Sequence, residues 1–302
     1  MFASRWPRAF PFFVGYLTHS EIVRAVSDTP EGPYAFQEVV LPARGPEHWD
    51  GPITHNPTVH RSGNTYLLFY IGATYAGPKP DVAEVNRLNR ELPQQAECYD
   101  SIRIGLATSD SVLGPWTRLD EPILRPRAGK WDGRVVTNPA PCVREDGSIL
   151  LYYRSNTPEG LRIGLAAADS FQSPFHRVVD DPVLTFSAGY VEDPFVWRAG
   201  DRYELIAKDW TGEICGEAGA GVHAASPDGI AWTLSEPPKA YSRRVVWDDG
   251  TITIQGALER PQLLIQGGRP THLFAATGDG PGGFDNCTRT WNLVIPLSSD
   301  SR

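Results

Sequence analysis

The hydrophobic pattern along this chain switches every few residues and is built from short runs, not from long helical periods. Four dipeptides set its rhythm: Asn56-Pro57, Asn138-Pro139, Asp193-Pro194 and Arg260-Pro261. After each comes a short apolar run ("TVH", "APCV", "FVW", "QLL") and then a turn carrying glycine ("RSGN", "REDGS", "RAGD", "QGGR"). Glycine supplies the positive φ that tight hairpins need. A β-rich run follows ("TYLLFYIG", "ILLYYRSN", "RYELIAKDW", "THLFAATG"), then a third ("IRIGLATSD", "LRIGLAAAD", "GAGVHAASPD"). A turn ending in an aromatic residue leads to a fourth, as in "SVLGPWTRL", "SFQSPFHRV" and "GIAWTLS". Strands at this spacing, punctuated by Gly and Pro, predict antiparallel hairpins. Four-stranded units repeated around an axis make a β-propeller.

The four prolines lie 82, 55 and 67 residues apart. The long first interval holds a polar insertion, residues 75–101, which predicts an excursion with a short helix. Without it the period suits a radial repeat. The ends follow the same grammar. "EIVRAVSDTPEGPYAFQEVVL" matches a third and fourth strand, "FASRW" the end of a second, and "WNLVIPLSSD" a third. The expectation is one all-β domain over residues 1–302: a five-bladed β-propeller of four-stranded antiparallel blades. The first blade lacks its innermost strand and the last its outermost. Almost no helix is expected outside the insertion. Met1 falls inside a predicted strand, which points to a truncated chain or an unusual closure.

Composition narrows the function. Hydrophobic residues make up 41% of the chain, enough for a large core. A formal net charge of −8 leaves no basic surplus for nucleic acid, and no run of 18 apolar residues spans a membrane. Cys98, Cys142, Cys215 and Cys287 are widely spaced and read as isolated thiols. "MFASRWPRAF" lacks a signal-peptide layout, which points to the cytoplasm if Met1 is the true start. Location otherwise, and oligomeric state, stay open.

Candidate chemistry sits at the repeat starts, which read "HN", "TN", "ED" and "ER". Repeat equivalence expects Asn56, Asn138, Asp193 and Glu259 at one axial pocket. Carboxylates gathered there, Glu192 included, repel one another, which raises a pKa and suits acid–base work. Adjacent side chains on a strand face opposite ways. Glu259 aligns with Glu192 and not with Asp193, so alternation predicts that Glu192 and Asp193 part company. Second-strand ends add Arg154, Lys208, Asp209 and Trp210. Arg and Lys hold hydroxyls or carboxylates, and Trp stacks on the apolar face of a sugar. Arg260 beside Glu259, and His55 beside Asn56, complete the substrate-binding set. His55 is also placed for an axial divalent cation, although no metal-ligand spacing calls for one and no cofactor is expected. "WDGPITHNPTV" at Trp49 and "WDGRVVTNPAPCV" at Trp131 read mainly as blade-joining structure, with Asp50 the exception kept as a substrate residue.

"THNPTVHRSGNTYLLFYIG", "IRIGLATSDSVLGPW", "VEDPFVW" and "ALERPQLL" resemble the five-bladed propeller glycoside hydrolases related to families 32, 43 and 117, closest to the family-117-like proteins. The similarity covers nearly the whole chain. It implies an exo-acting hydrolase of an oligosaccharide or glycoside, using paired carboxylates in an axial pocket. By the resemblance, Asp193 orients substrate and tunes a pKa, and Glu259 is the acid near the leaving group. The family's general base is an Asp on the innermost strand of the first blade, which this sequence lacks. A carbohydrate-binding propeller without catalysis is therefore the alternative.

Overall fold

The computed structural model of the chain describes residues 1–186, 189–280, 283–284 and 287–297. Strands fall in chain order into antiparallel sheets that are the blades of a five-bladed β-propeller. The first blade has three strands, β1 (Phe2–Arg5), β2 (Glu21–Val26) and β3 (Ala35–Leu41), with helix α1 (Phe12–His19) between β1 and β2. The second has β4 (Ile53–Ser62), β5 (Thr65–Ala73), β6 (Arg103–Ser109) and β7 (Thr117–Arg118). The third has β8 (Thr137–Val143), β9 (Ile149–Thr157), β10 (Gly160–Ala168) and β11 (His176–Arg177). The fourth has β12 (Val191–Ala199), β13 (Arg202–Asp209), β14 (Gly221–Ser226) and β15 (Thr233–Tyr241). A two-stranded ribbon, β16 (Arg244–Val246) with β17 (Ile252–Ile254), precedes the last blade of β18 (Leu258–Gln266), β19 (Arg269–Gly278) and β20 (Thr290–Pro296). The short first and last blades match the sequence expectation.

Two local features differ from it. Inside the insertion stand two α-helices, α2 (Val82–Leu88), capped by the Asp81 side chain on the Glu84 N–H, and α3 (Pro93–Asp100). Outside the insertion, α1 is a helix where strand-only grammar expects none. Eight residues are too few to hold a helix by propensity, so packing decides. Phe10 and Val14 bury with Val85 and Leu92, which makes α1 a partner of the insertion.

The chain forms two compact units, one of Met1–Asp28, Gly32–Pro158 and Ala166–Val178, the other of Thr29–Glu31, Glu159–Leu165 and Val179–Arg302. The first has a core of Leu67, Phe69, Ile71, Ile104, Leu106, Leu151 and Tyr153. In the second, Val245, Leu258, Ala275 and Leu293 form one cluster, and Phe195, Ile206 and Leu273 another.

The phrase spelled twice is a structural joint within the first unit. Trp49 stacks on Tyr70 at 5.9 Å, and Trp131 on Tyr153 at 6.0 Å. Asp50 is wholly buried, accepts from the Tyr70 hydroxyl at 2.7 Å and pairs with Arg44 and Arg118 at 2.6 and 3.1 Å. Asp132, equally buried, accepts from the Tyr153 hydroxyl at 2.8 Å and pairs with Arg127 and Arg177, both at 2.9 Å. The same phrase makes the same network. Trp247, which opens the similar but shorter phrase "WDDG", instead donates its indole N–H to Thr253 within the ribbon.

Candidate active site

Each repeat start shares one backbone device. Asn56, Asn138, Asp193 and Arg260 take φ of 51°, 52°, 54° and 53°, left-handed values that cost a non-glycine residue about 1–2 kcal/mol. At each, the strand slips its register against its neighbour: between His55 and Thr58, Thr137 and Ala140, Glu192 and Phe195, and Glu259 and Gln262. These are β-bulges, and proline is at home there. Every one of these strands is the edge of its sheet, and proline has no N–H to withhold from a ladder.

The bulge overturns the alternation argument. Glu192 still pairs in register with Lys208, but the left-handed step at Asp193 turns the next side chain back. Oxygens of Glu192, Asp193 and Glu259 all lie within 4.8 Å of one another. Both neighbours on one strand therefore join one cluster, which a flat strand forbids.

Two cations hold it. Lys208, 3% exposed, contacts Glu192 at 2.7 Å and donates to Glu259 in a short bond. Asp193 accepts the Arg260 backbone N–H at 3.0 Å and its guanidinium Nη1 at 3.3 Å. With every group ionised, three carboxylates face two cations, so one added proton makes the cluster neutral. That proton belongs on Glu259. Burial, with Glu192 and Asp193 adding, raises its pKa to about 7 against the pull of Lys208. Burial works against the Lys208 charge, but Glu192 and Glu259 outweigh it and hold the ammonium charged. Exposure separates the carboxyls: the Glu259 side chain is 21% exposed, Glu192 8% and Asp193 3%. Glu259 is the group a ligand can reach.

A row of backbone partners crosses the fourth blade: Glu192 opposite Lys208, Lys208 opposite Gly221, Gly221 opposite Tyr241. A Cβ on Gly221 would lie 2.0 Å from the Tyr241 ring, so only glycine lets that ring cross. The Tyr241 hydroxyl is buried without a hydrogen-bond partner among the described residues. Burial, with Glu259 and Asp193 next, pushes its pKa far above the usual phenol. Sequence reasoning missed Tyr241, because it sits on an outer strand and its only signal is a glycine on the strand beside it. Trp210 is 53% exposed, with the Lys208 ammonium 4.6 Å from its ring centre. Asp209 is turned to another task and accepts the N–H groups of Gly212, Ile214 and Cys215.

In the first unit the Asn56 amide donates to Asn138 at 2.8 Å, and Thr137 donates to the same oxygen at 2.9 Å. His55 lies among rings, 5.6 Å from Trp6 and 5.2 Å from Tyr16. Arg154 stands opposite Thr137 at the head of β8. Asp50, kept in the substrate set by the sequence reading, has both oxygens engaged in the network it shares in form with Asp132. Each unit thus gathers its own repeat starts.

Glu192, Asp193 and Glu259 have the donor set for a divalent cation. Lys208 and Arg260 already compensate these oxygens, so a metal would have to displace a buried ion pair.

No family model and no curated protein sequence matches the chain. Solved structures do. A family 117 glycoside hydrolase, Zg3597, from the marine bacterium Zobellia galactanivorans is 17% identical, with a TM-score of 0.63 over 91% of this chain and 69% of that one. A thermostable family-43 glycoside hydrolase is 14% identical, with a TM-score of 0.59 over 93% and 83%. An endo-arabinase from Bacteroides thetaiotaomicron is 15% identical, with a TM-score of 0.58 over 93% and 87%. At such identities the likeness establishes the fold: this chain has the five-bladed propeller of glycoside hydrolases.

Proposed function

We propose that the chain is a glycoside hydrolase that removes sugar from the end of an oligosaccharide, with Glu259 as the acid. The observation that carries this is Glu259 itself: a reachable carboxyl with a pKa of about 7, beside two carboxylates that are sealed and paired. A general acid works best with its pKa near the working pH, and protonation of the glycosidic oxygen lets a poor leaving group depart. Asp193, clamped by Arg260, orients the cluster and keeps negative charge beside the acid. Trp210 offers a face for stacking a sugar ring. The recessed carboxyls suit a chain end better than the middle of a glycan. No cofactor is required by this chemistry.

Hydrolysis needs a second group to activate water or attack carbon. Inverting pairs stand about 6.5–9.5 Å apart and retaining pairs about 5–5.5 Å. Asp193 and Glu192 lie closer to Glu259 than an inverting pair, and both are too buried to reach an anomeric carbon. The second group therefore lies outside this cluster. That observation favours one other reading, a propeller that binds carbohydrate without cleaving it. Incubation with a panel of oligosaccharides and aryl glycosides separates the two. Released monosaccharide, lost in Glu259→Gln, supports the hydrolase; tight sugar binding with no product supports the binding module.

A further inference from the structure

Beside the carboxylate cluster lies a cavity of about 140 Å³ whose walls include Leu161, Arg162, Leu184, Phe186 and Tyr190. It adjoins the cluster through the backbone. Tyr190 immediately precedes β12, which carries Glu192, and its carbonyl accepts the N–H of Trp210, two residues beyond Lys208. The Tyr190 ring is held by close approach. A Cβ on Gly160 would lie 2.7 Å from it, and Gly160 has φ +121°. Over that ring, 5.2 Å from its centre, sits the Arg162 guanidinium.

Arg162, like Arg103, whose Nη1 meets the Ile102 carbonyl at 2.7 Å, turns to the carbonyl of the residue before it. Arg44, Arg118, Arg127, Arg177 and Arg260 each pair with a buried carboxylate. Arg162 gives Nη1 to the Leu161 carbonyl at 2.9 Å and has no carboxylate partner among the described residues. A guanidinium has five donors in a planar fork that matches a carboxylate. Here the fork lies at a small space with aromatic and aliphatic walls. The space is well below the roughly 300 Å³ of ordinary ligand pockets, so it takes one sugar-sized group and no more.

We infer that this cavity is a subsite for a carboxylate-bearing sugar, a uronic acid unit of the substrate, with Arg162 pairing the carboxylate and Tyr190 packing on the ring. The inference rests on the sugar-processing reading of the neighbouring carboxyls and names the class of sugar presented to them.

The test is calorimetric titration of the full chain with galacturonate and glucuronate against galactose and glucose. Acidic sugars should bind at least roughly tenfold tighter than their neutral parents. Arg162→Gln should erase that preference. Arg162→Lys should keep part of it, since the charge remains and the fork is lost. Raising salt should weaken the acids alone. If Arg162→Gln does not fold, wild type, Arg162→Lys and the salt series decide. Equal affinity for acidic and neutral sugars, a preference that survives Arg162→Gln, or a preference indifferent to salt overturns the subsite. Glu259→Gln keeps the two readings apart. Acidic sugars that bind through Arg162 without any glycoside being cleaved leave the subsite standing and remove the hydrolase. Cleavage of neutral glycosides indifferent to Arg162 does the reverse.

Discussion

In the proposed reaction Glu259 is the acid because three effects act on one side chain. Burial removes its water, two carboxylates repel its charge, and Lys208 alone pulls the other way. Its folded pKa, about 7, lies above the ordinary value of 4.5, so the folded state binds the extra proton between those pH values. Stability from this group is full below pH 4.5 and is lost as pH rises through 7. Activity should follow, with kcat/KM falling above about pH 7 as the acid form disappears. The alkaline limb should vanish from whatever activity Glu259→Gln retains, and the melting temperature of that variant should drop less than wild type between pH 5 and 8. A limb that survives in the variant assigns it to another group. Lys208 gives the second residue-scale prediction. Lys208→Met leaves two buried carboxylates without their cation and should destabilise by about 3–5 kcal/mol in urea. Because Lys208 opposes the raised pKa, its loss should also move the alkaline limb upward. A stable variant with an unmoved limb would contradict the bridge.

At the scale of elements, the repeated bulge is what places the site. Aligning the chain on its X-Pro pairs reveals the blades, because glycine turns and alternating runs are local signals. Glu259 and Asp193 were legible as a cluster for the same reason: repeat equivalence puts strand starts at one level. The facing of Glu192 was not legible, since alternation holds only on a regular strand and the left-handed step at Asp193 interrupts it. Helix α1 was hidden too, because its aromatic run acquires meaning only against Val85 and Leu92. The bulge has a direct test. Asn138→Ala and Asn138→Gly both lose the amide contact with Asn56, but alanine also pays the left-handed strain. Alanine should melt lower, by about 1 kcal/mol, and equal stability would deny the strain. The twin networks offer another. Asp50→Asn and Asp132→Asn should destabilise alike, by about 3–5 kcal/mol, since each strands two arginines. Loss of activity in Asp50→Asn with normal stability would return Asp50 to the substrate site.

At the scale of the molecule, the propeller fold and the carboxylate cluster are both present, while the proposed hydrolysis calls for a second group outside that cluster. The measurement that bears most directly on the account is therefore one that asks what Glu259 does to a leaving group. It compares kcat/KM for an oligosaccharide with kcat/KM for an activated aryl glycoside of the same sugar, in wild type and in Glu259→Gln. An aryl oxide departs without a proton and a sugar alcohol does not. The account predicts that Glu259→Gln loses roughly 10²–10⁴-fold on the oligosaccharide and far less on the aryl glycoside. Equal losses on both substrates, or no loss on either, would contradict the assignment of Glu259 as the acid.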